Sequence, residues 1–255
     1  MQTMLKPQNP LTQLLDLTVV QLSNWRWSWR SMIIVGTITP LLSTLALGLF
    51  SRREGIETLS YILTGNLVLA IMFNNLSRVS SNFSFMRTRG MLSYFASLPI
   101  RAVNLVLATV LAFFLLSLPS LLVTLLAGVA ILKLDLTFHP LVLVVVPLAT
   151  ICMSGLGALI GTSVRTPEEA DSISLLSTFI MLGLGPVLIP PDRLPSFMVI
   201  LGYISPATYA ASAFRQVLLG PVTARILVDL AILAIFCLST LWLVERKMTW
   251  RQSQV

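Results

Sequence analysis

The side chains that most often do chemistry are scarce in this sequence and form no recognisable catalytic pattern. The chain has one histidine, His139, and two cysteines, Cys152 and Cys237, in 255 residues. It contains no phosphate-binding GxxxxGK[ST] loop, no HExxH zinc motif and no GxSxG nucleophile motif. His139 lies in a predicted short loop, and both cysteines lie in apolar stretches, where small core residues are expected. The sequence therefore predicts no catalytic residue, no metal site and no cofactor on this chain.

Ionisable residues are also rare inside the apolar stretches, where ion pumps and secondary transporters usually carry them. Asp229 is the exception, and it lies four residues after Arg225. We expect the two to pair on one helix face, with a contact to a substrate as the alternative. Asn66 is polar but uncharged, and we expect it to bond to a neighbouring helix or to face a cavity. The energy for any transport must then come from another protein.

Composition places most of the chain in lipid. Hydrophobic residues make up 56% of the sequence, charged residues make up 11%, and the mean hydropathy is +0.88. A soluble domain averages about 25% charged residues, and one globule of this size cannot hide so much apolar surface. A net charge of +7 would suggest nucleic acid for a soluble protein. Here the basic residues flank apolar stretches, so they indicate membrane topology, and no nucleic-acid partner is expected.

Six apolar stretches are long enough to cross a bilayer, which takes about 20 helical residues. We predict an all-α membrane protein that forms a single transmembrane domain over residues 1–255. Its predicted spans are 31–50, 59–76, 100–132, 141–161, 170–189 and 222–244. The third contains Pro119 and is long enough to tilt or project from the membrane. In the fourth, close packing against a neighbouring helix is permitted by Gly155, Gly157 and Gly161.

Two further segments are apolar without being able to span. In residues 10–30, one helical face carries a mostly apolar set of side chains, namely Leu11, Leu14, Leu15, Thr18, Leu22, Trp25 and Trp29. We predict an interfacial amphipathic helix that begins at Pro10, with packing on a partner as a compatible alternative. Residues 190–221 are interrupted by prolines at Pro190, Pro191, Pro195, Pro206 and Pro221. These breaks predict short, re-entrant outer helices that enter one leaflet and return.

The distribution of basic residues sets the predicted orientation. With the N-terminus inside, eleven of the 17 Lys and Arg residues fall in cytoplasmic segments and six fall outside. Because basic residues favour the cytoplasmic side, we predict a multi-pass protein of the cytoplasmic (inner) membrane with both termini in the cytoplasm. Residues 78–99 and the segment that begins at Arg165 then form cytoplasmic loops.

The loop at residues 78–99 is basic and amphipathic. It has no acidic residue. One face of a single predicted helix carries Phe85, Met91, Leu92, Phe95 and Leu98. The other face carries Arg89, Gly90, Ser93 and Ser97, and Pro99 ends the helix. This pattern favours docking on an acidic groove of a soluble partner, with a membrane-surface helix anchored by arginine as the alternative.

The second cytoplasmic loop specifies where the next helix begins. Thr166 is a suitable N-cap, Pro167 a suitable first helical residue, and Glu169 completes a capping box. The acidic residues Glu168 and Glu169 also suit the positive end of a helix.

The order of these motifs resembles that of the ABC type 2 transporter permeases, close to bacterial subunits that export drugs, polysaccharides or lipo-oligosaccharides. The first loop carries Arg89-Gly90, Leu92 and Pro99 at the spacing of that family. Around the fifth span and the outer segment, the matching residues are Gly183, Gly185, Leu194-Pro195, Pro206, Tyr209, Arg215 and Gly220. The N-terminal helix is the third shared feature, and the matches together cover nearly the whole chain.

The resemblance implies a permease that exports an amphipathic, drug-like or lipid-linked substrate. ATP and Mg²⁺ would bind to a separate ABC ATPase, present in two copies. A second permease copy, expected to form a homodimer, and membrane lipid would be the other partners. The alternative function is an ATP-independent, lipid-binding membrane assembly or enzyme subunit.

The resemblance also implies three groups of functional residues. Coupling to the ATPase is assigned to Arg87, Arg89, Gly90, Leu92, Phe95, Pro99, Glu168 and Glu169. A substrate path is assigned to Asn66, Phe73, Phe179 and Leu182. An outer lid is assigned to Pro206, Tyr209 and Arg215.

Overall fold

A computed structural model describes residues 9–25, 29–51, 55–98, 100 and 102–247. Helix makes up 84% of these residues and they contain no strand, which confirms the all-helical prediction. The α-helices are α1 (Pro10–Trp25), α2 (Trp29–Phe50), α3 (Ile56–Ile71), α4 (Arg78–Thr88), α5 (Met91–Ser97), α6 (Ala102–Leu132), α7 (Val142–Ser163), α8 (Pro167–Gly183), α9 (Ser196–Gly202), α10 (Pro206–Leu218) and α11 (Arg225–Lys247). A π-helical turn (Met72–Ser77) joins α3 to α4, and a 3₁₀ turn (Pro191–Arg193) precedes α9.

Four described helical runs are long and apolar enough to cross a membrane: Ile56–Thr88, Ala102–Leu132, Val142–Ser163 and Arg225–Lys247. The pair α9 and α10, bent by 88° at their junction, would make a fifth if the two halves form one broken span. Four of the six predicted spans therefore correspond to such runs in the described residues, whereas the bent pair lies in the segment predicted to be re-entrant. The helices of the other two predicted spans are shorter in the described residues. The described apolar part of α2 is Gly36–Phe50, and α8 has 17 residues.

The boundaries of two predicted spans differ from the helices observed. The second span was predicted to end at residue 76, but its helix continues to Thr88 because no proline or glycine interrupts it. The fifth was predicted to reach residue 189, but α8 ends at Gly183. Gly185 and Pro186 follow at once, and proline cannot continue a helix.

The first helix begins at Pro10, as predicted, and part of its predicted interfacial face makes no contact with the bundle. Leu11 and Leu15, predicted to lie on the interfacial stripe, are exposed. The buried side instead includes Leu17 and Gln21. Of the predicted helix at residues 10–30, the structure describes α1 up to Trp25 and the first residues of α2 from Trp29, and residues 26–28 lie outside the described residues.

Small residues let the central helices approach closely. A Cβ atom on Gly157 would meet the backbone of Leu76, and one on Gly161 would meet the backbone of Ser80. These contacts confirm that the glycines of α7 permit close packing, here against the π turn and α4. The π turn itself buries Asn74, whose Nδ2 donates to the Ala70 carbonyl at 2.9 Å and to Ser120 Oγ of α6 at 3.1 Å.

The bundle has two distinct ends, defined by one continuous helical run. The 33 residues from Ile56 to Thr88 extend about 50 Å at 1.5 Å per residue. The connection between α4 and α5 lies at one end, and we call residues 88–91 the α4–α5 turn. The start of α3 lies at the other end, where it meets α10.

Candidate functional site

The α4–α5 turn is built by a left-handed glycine. Gly90 has a φ of +70° and its N–H donates to the Arg87 carbonyl at 3.1 Å, which ends α4. Glycine adopts this conformation without the steric cost of a Cβ atom. The prediction of one helix through residues 85–98 is therefore wrong, because the chain turns at Gly90. Pro99, predicted to end that helix, lies outside the described residues.

The turn splits the predicted apolar face into a buried part and an exposed part. Phe95 is 7% exposed and Leu92 is half-buried, and both pack into the core beneath the turn. Phe85 is 44% exposed, and the guanidinium of Arg89 lies 5.1 Å from its ring centroid. The exposed surface of this region consists of Phe85, Arg87, Thr88, Arg89, Gly90, Ser93, Tyr94 and Ser97.

Arg87 fixes the turn to the rest of the bundle. Its Nη1 donates to the carbonyl of Thr162 at 3.0 Å and to that of Val164 at 3.1 Å. These carbonyls lie at the C-terminal end of α7, where helix carbonyls lack intrahelical partners and favour a cation. Arg87, assigned by resemblance to ATPase coupling, thus has bonds inside the chain, whereas Arg89 stacks on an exposed ring.

The acidic pair predicted at the start of α8 lies near this end as well. The Glu169 N–H donates to Thr166 Oγ1 at 3.2 Å, and the Arg165 N–H donates to Glu169 Oε2 at 2.9 Å. Thr166 is therefore the N-cap, as predicted, although the carboxylate reaches the residue before the cap. Glu168 is exposed.

The residues assigned to a substrate path do not share one environment. Asn66 is fully buried, and its Nδ2 donates to the Ile62 carbonyl of its own helix at 2.8 Å, while its Oδ1 has no partner in the described residues. Phe73 and Leu182 pack in the same hydrophobic cluster. Phe179 is 61% exposed on α8. The bond that we expected from Asn66 to a neighbouring helix is not formed by its amide group.

The residues assigned to an outer lid all belong to α10. Pro206 is its first residue. The Tyr209 hydroxyl donates to the Tyr203 carbonyl at 2.8 Å and so ties α10 to the residue after α9. The Arg215 guanidinium lies 3.4 Å from the ring centroid of Tyr61 on α3. The three side chains thus connect α10 to its neighbours.

A polar cavity of about 630 Å³ opens beside these residues, at the end of the bundle away from the α4–α5 turn. One face of α10 lines it with Thr208, Ser212, Arg215 and Gln216, and α3 contributes Tyr61. The sequence analysis named only Arg215 and missed the others. The signal was present, because polar residues at positions 208, 212, 215 and 216 follow helical spacing on one face.

Asp229 supports this cavity from α11. It is 1% exposed, and its Oδ2 accepts hydrogen bonds from Ser212 Oγ at 2.7 Å and from Gln216 Nε2 at 3.0 Å. Arg225, the predicted partner, acts on this carboxylate electrostatically, but the hydrogen-bond donors come from another helix. The carboxylate therefore joins α11 to the polar face of α10.

The chain was compared with known proteins. Among curated proteins, none matches it. The profile of a family described as ABC-2 type transporter matches residues 12–219, which include both the α4–α5 turn and the polar face of α10. The match confirms the resemblance seen in the sequence, and this family implies partnership with an ABC ATPase. The chain therefore belongs to the ABC-2 type transporter family and is a multi-pass membrane permease of an ABC transporter.

Proposed function

We propose that this permease is the membrane subunit of an ATP-driven exporter of amphipathic, drug-like or lipid-linked molecules. The α4–α5 turn carries the proposal. The turn and the adjoining part of α5 present exposed Arg89, Gly90, Ser93 and Tyr94, and Arg87 holds the turn on the end of α7. A surface that is exposed yet held in place suits the transmission of movement from a soluble partner. ATP and Mg²⁺ would bind to that partner, a separate ABC ATPase present in two copies.

We propose six spans with both termini in the cytoplasm of the cytoplasmic membrane. The 22 residues of α2 extend about 33 Å, and the 17 of α8 extend about 26 Å, against a hydrocarbon core of about 30 Å. Both therefore have the length of a span or nearly so. The 88° bend between α9 and α10 favours a re-entrant pair over a straight crossing. The α4–α5 turn then faces the cytoplasm.

We propose a homodimer with a substrate path between its copies. The exposed side of α8 is apolar and carries Leu175, Leu176, Phe179 and Ile180. Such a surface suits contact with lipid, with a second copy or with an amphipathic substrate. The assigned path residues Asn66, Phe73, Phe179 and Leu182, and the outer lid residues Pro206, Tyr209 and Arg215, remain proposals of the same kind.

The test is ATP-dependent transport by the full chain together with an ABC ATPase encoded beside it. Inside-out vesicles would be supplied with a fluorescent amphipathic dye or a fluorescent phospholipid. We expect uptake that requires ATP and disappears when the catalytic glutamate of the ATPase is replaced by glutamine. Equal uptake with and without ATP, or no co-purification of the two proteins, would instead favour the ATP-independent lipid-binding function.

A further inference from the structure

Three helical elements are joined in the bundle core by a chain of hydrogen bonds between side chains. Asn74 Nδ2 of the π turn donates to Ser120 Oγ of α6 at 3.1 Å, and the hydroxyl groups of Ser120 and of Thr37 on α2 are hydrogen-bonded to each other at 2.9 Å. All three side chains are at most 5% exposed. Because a buried polar group that loses its partner is costly, these bonds hold the three elements together at one level of the bundle.

Each of the three elements has an irregular backbone close to this connection. Asn74 lies in the π turn, Ser120 directly follows Pro119, and Thr37 lies three residues before Pro40. A proline inside a helix removes one backbone hydrogen bond, and helices bend at prolines and at π turns. Three residues correspond to about 4.5 Å along a helix. The points at which these helices bend most readily therefore lie beside the residues that join them.

The side chain of Asn74 is in close contact with both of its neighbours. A Cβ atom on Gly36 of α2 would meet the amide group of Asn74, so the absence of a side chain at Gly36 leaves room for it. The same amide group donates to the Ala70 carbonyl of its own helix at 2.9 Å, just before the π turn. A change in the backbone of the π turn would therefore displace a side chain on which α2 and α6 both depend.

Other buried hydroxyl groups of α2 and α6 bond differently. Thr44, Thr109 and Ser117 each donate to a carbonyl of their own helix at 2.8 Å. Such a bond satisfies the hydroxyl group without joining two helices. The connection through Asn74 and Ser120 differs because it crosses from one helix to the next.

We propose that Asn74, Ser120 and Thr37 form a shared hinge at which α2, α6 and the Ile56–Thr88 run bend together. The run extends from the cavity end to the α4–α5 turn, so bending at the π turn changes the position of one end relative to the other. The hinge belongs to the chain itself. It is therefore tested without an ATPase and separately from the proposed function.

The experiment measures local opening by hydrogen–deuterium exchange of the full chain in nanodiscs, read by mass spectrometry of its peptides. Ser120→Ala removes the hydroxyl group in the middle of the connection. We expect exchange to rise about tenfold at the π turn and in α2 around Pro40, as well as in α6, because both neighbours of Ser120 lose a buried partner. A rise confined to α6 would overturn the proposal.

Ser117→Ala is the matched control. It makes the same substitution on the same helix, one turn away, at a residue that is 1% exposed and bonds to the Phe114 carbonyl of α6. We expect its exchange to rise in α6 alone. The same pattern of exchange in both variants would overturn the proposal, and so would a rise in Ser120→Ala that extends through the whole chain to α11, since that would be a general loosening.

A third variant serves if Ser120→Ala does not fold. Thr37→Val keeps the volume of the side chain and removes the hydroxyl group at the α2 end of the connection. We expect a smaller effect, of about threefold, on exchange at the π turn, because Asn74 keeps its bond to Ser120. Unchanged exchange at the π turn in a folded Thr37→Val would overturn the proposal.

Discussion

The α4–α5 turn and the polar cavity differ in whether their polar groups have hydrogen-bond partners within the chain. At the turn, Arg87 bonds to two backbone carbonyls, and Arg89 lies exposed beside them. At the cavity, Arg215 Nη1 and Thr208 Oγ1 are buried atoms that have no hydrogen-bond partner in the described residues. A site whose bonds are satisfied within the chain keeps its shape and presents a surface. Buried polar atoms without partners are costly, so the packing around them has to compensate.

The largest effect is expected in a labelling experiment that tests whether the two ends of the bundle lie on opposite sides of the membrane. A cysteine at Thr137, in the cavity, should react with a membrane-impermeant maleimide added outside intact cells, and one at Thr88 should not. Both positions are exposed, and the native Cys152 and Cys237 are buried, so the background should be low. Labelling is read on a gel after purification. Lysed cells, in which both positions should react, are the control, and reversed labelling in intact cells would contradict the orientation.

The next effect concerns the shape of the turn. Gly90→Leu should leave the permease inserted but weaken its association with the ATPase and abolish transport. A left-handed residue with a Cβ atom costs about 1–2 kcal/mol, and the structure has no atom within 4 Å that this Cβ would meet. The strain therefore falls on the turn itself. Association is measured by pull-down and transport in the same vesicles.

Gly90→Asn is the matched control, because asparagine tolerates the left-handed conformation. It should keep most of the association and transport. If Gly90→Leu binds the ATPase and transports normally, the α4–α5 turn is not the coupling element, and a membrane-surface role for it is favoured.

A smaller effect is expected from the carboxylate behind the cavity. Asp229→Ala should lower the free energy of unfolding by about 1.5–3 kcal/mol, because a buried charged acceptor of two hydrogen bonds is removed. Denaturation of the full chain in detergent, followed by helix content, measures this. Asp135→Ala, at the exposed rim, should change stability by less than about 0.5 kcal/mol. Equal losses in the two variants would show that Asp229 does not join α10 to α11.

The exposed arginine of the turn should affect the partner and not the fold. Arg89→Ala should weaken association with the ATPase about tenfold, which corresponds to about 1.4 kcal/mol. Its stability should match that of the wild type, since Arg89 stacks only on a half-exposed ring. Affinity is measured by titrating the purified ATPase against the permease in nanodiscs. An unchanged affinity would exclude Arg89 from the interface.

The smallest effect is expected at the neighbouring arginine. Arg87→Ala should lower the free energy of unfolding by about 1 kcal/mol, because two hydrogen bonds to the end of α7 are lost at an exposed position. Arg87→Lys restores one cation and should recover part of this loss. A stability equal to the wild type, measured as for Asp229→Ala, would mean that these bonds do not fix the turn.

Capping residues and apolar stretches were enough to predict several helix positions. The helix beginning at Pro10, the N-cap at Thr166 and the long third span are observed as predicted. Each depends on a few neighbouring residues. The order of short motifs was also enough to identify the family, which the profile match then confirmed.

Features that depend on a backbone angle or on distant contacts were missed. Helical spacing alone could not show that Gly90 has a positive φ, so two short helices were predicted as one. It named Arg225 as the partner of Asp229, which acts on it electrostatically, but did not reveal the hydrogen-bond donors on α10. The polar face of α10 follows from helical spacing, but the sequence does not show that α3 and α11 pack beside that face.

The π turn at Met72–Ser77 sets the rotation of α4 relative to α3 around their common helix axis. A π turn adds about one residue to an α-helical turn, and one residue corresponds to about 100° of rotation around the axis. The start of α3, with Tyr61, and the end of α4, with Arg87, are therefore set at a different angle from that of an unbroken α-helix. Deleting one residue here would shorten the run by only about 1.5 Å. It would nevertheless turn Arg87 away from the carbonyls of α7, so the angle between the two ends is fixed by a single residue.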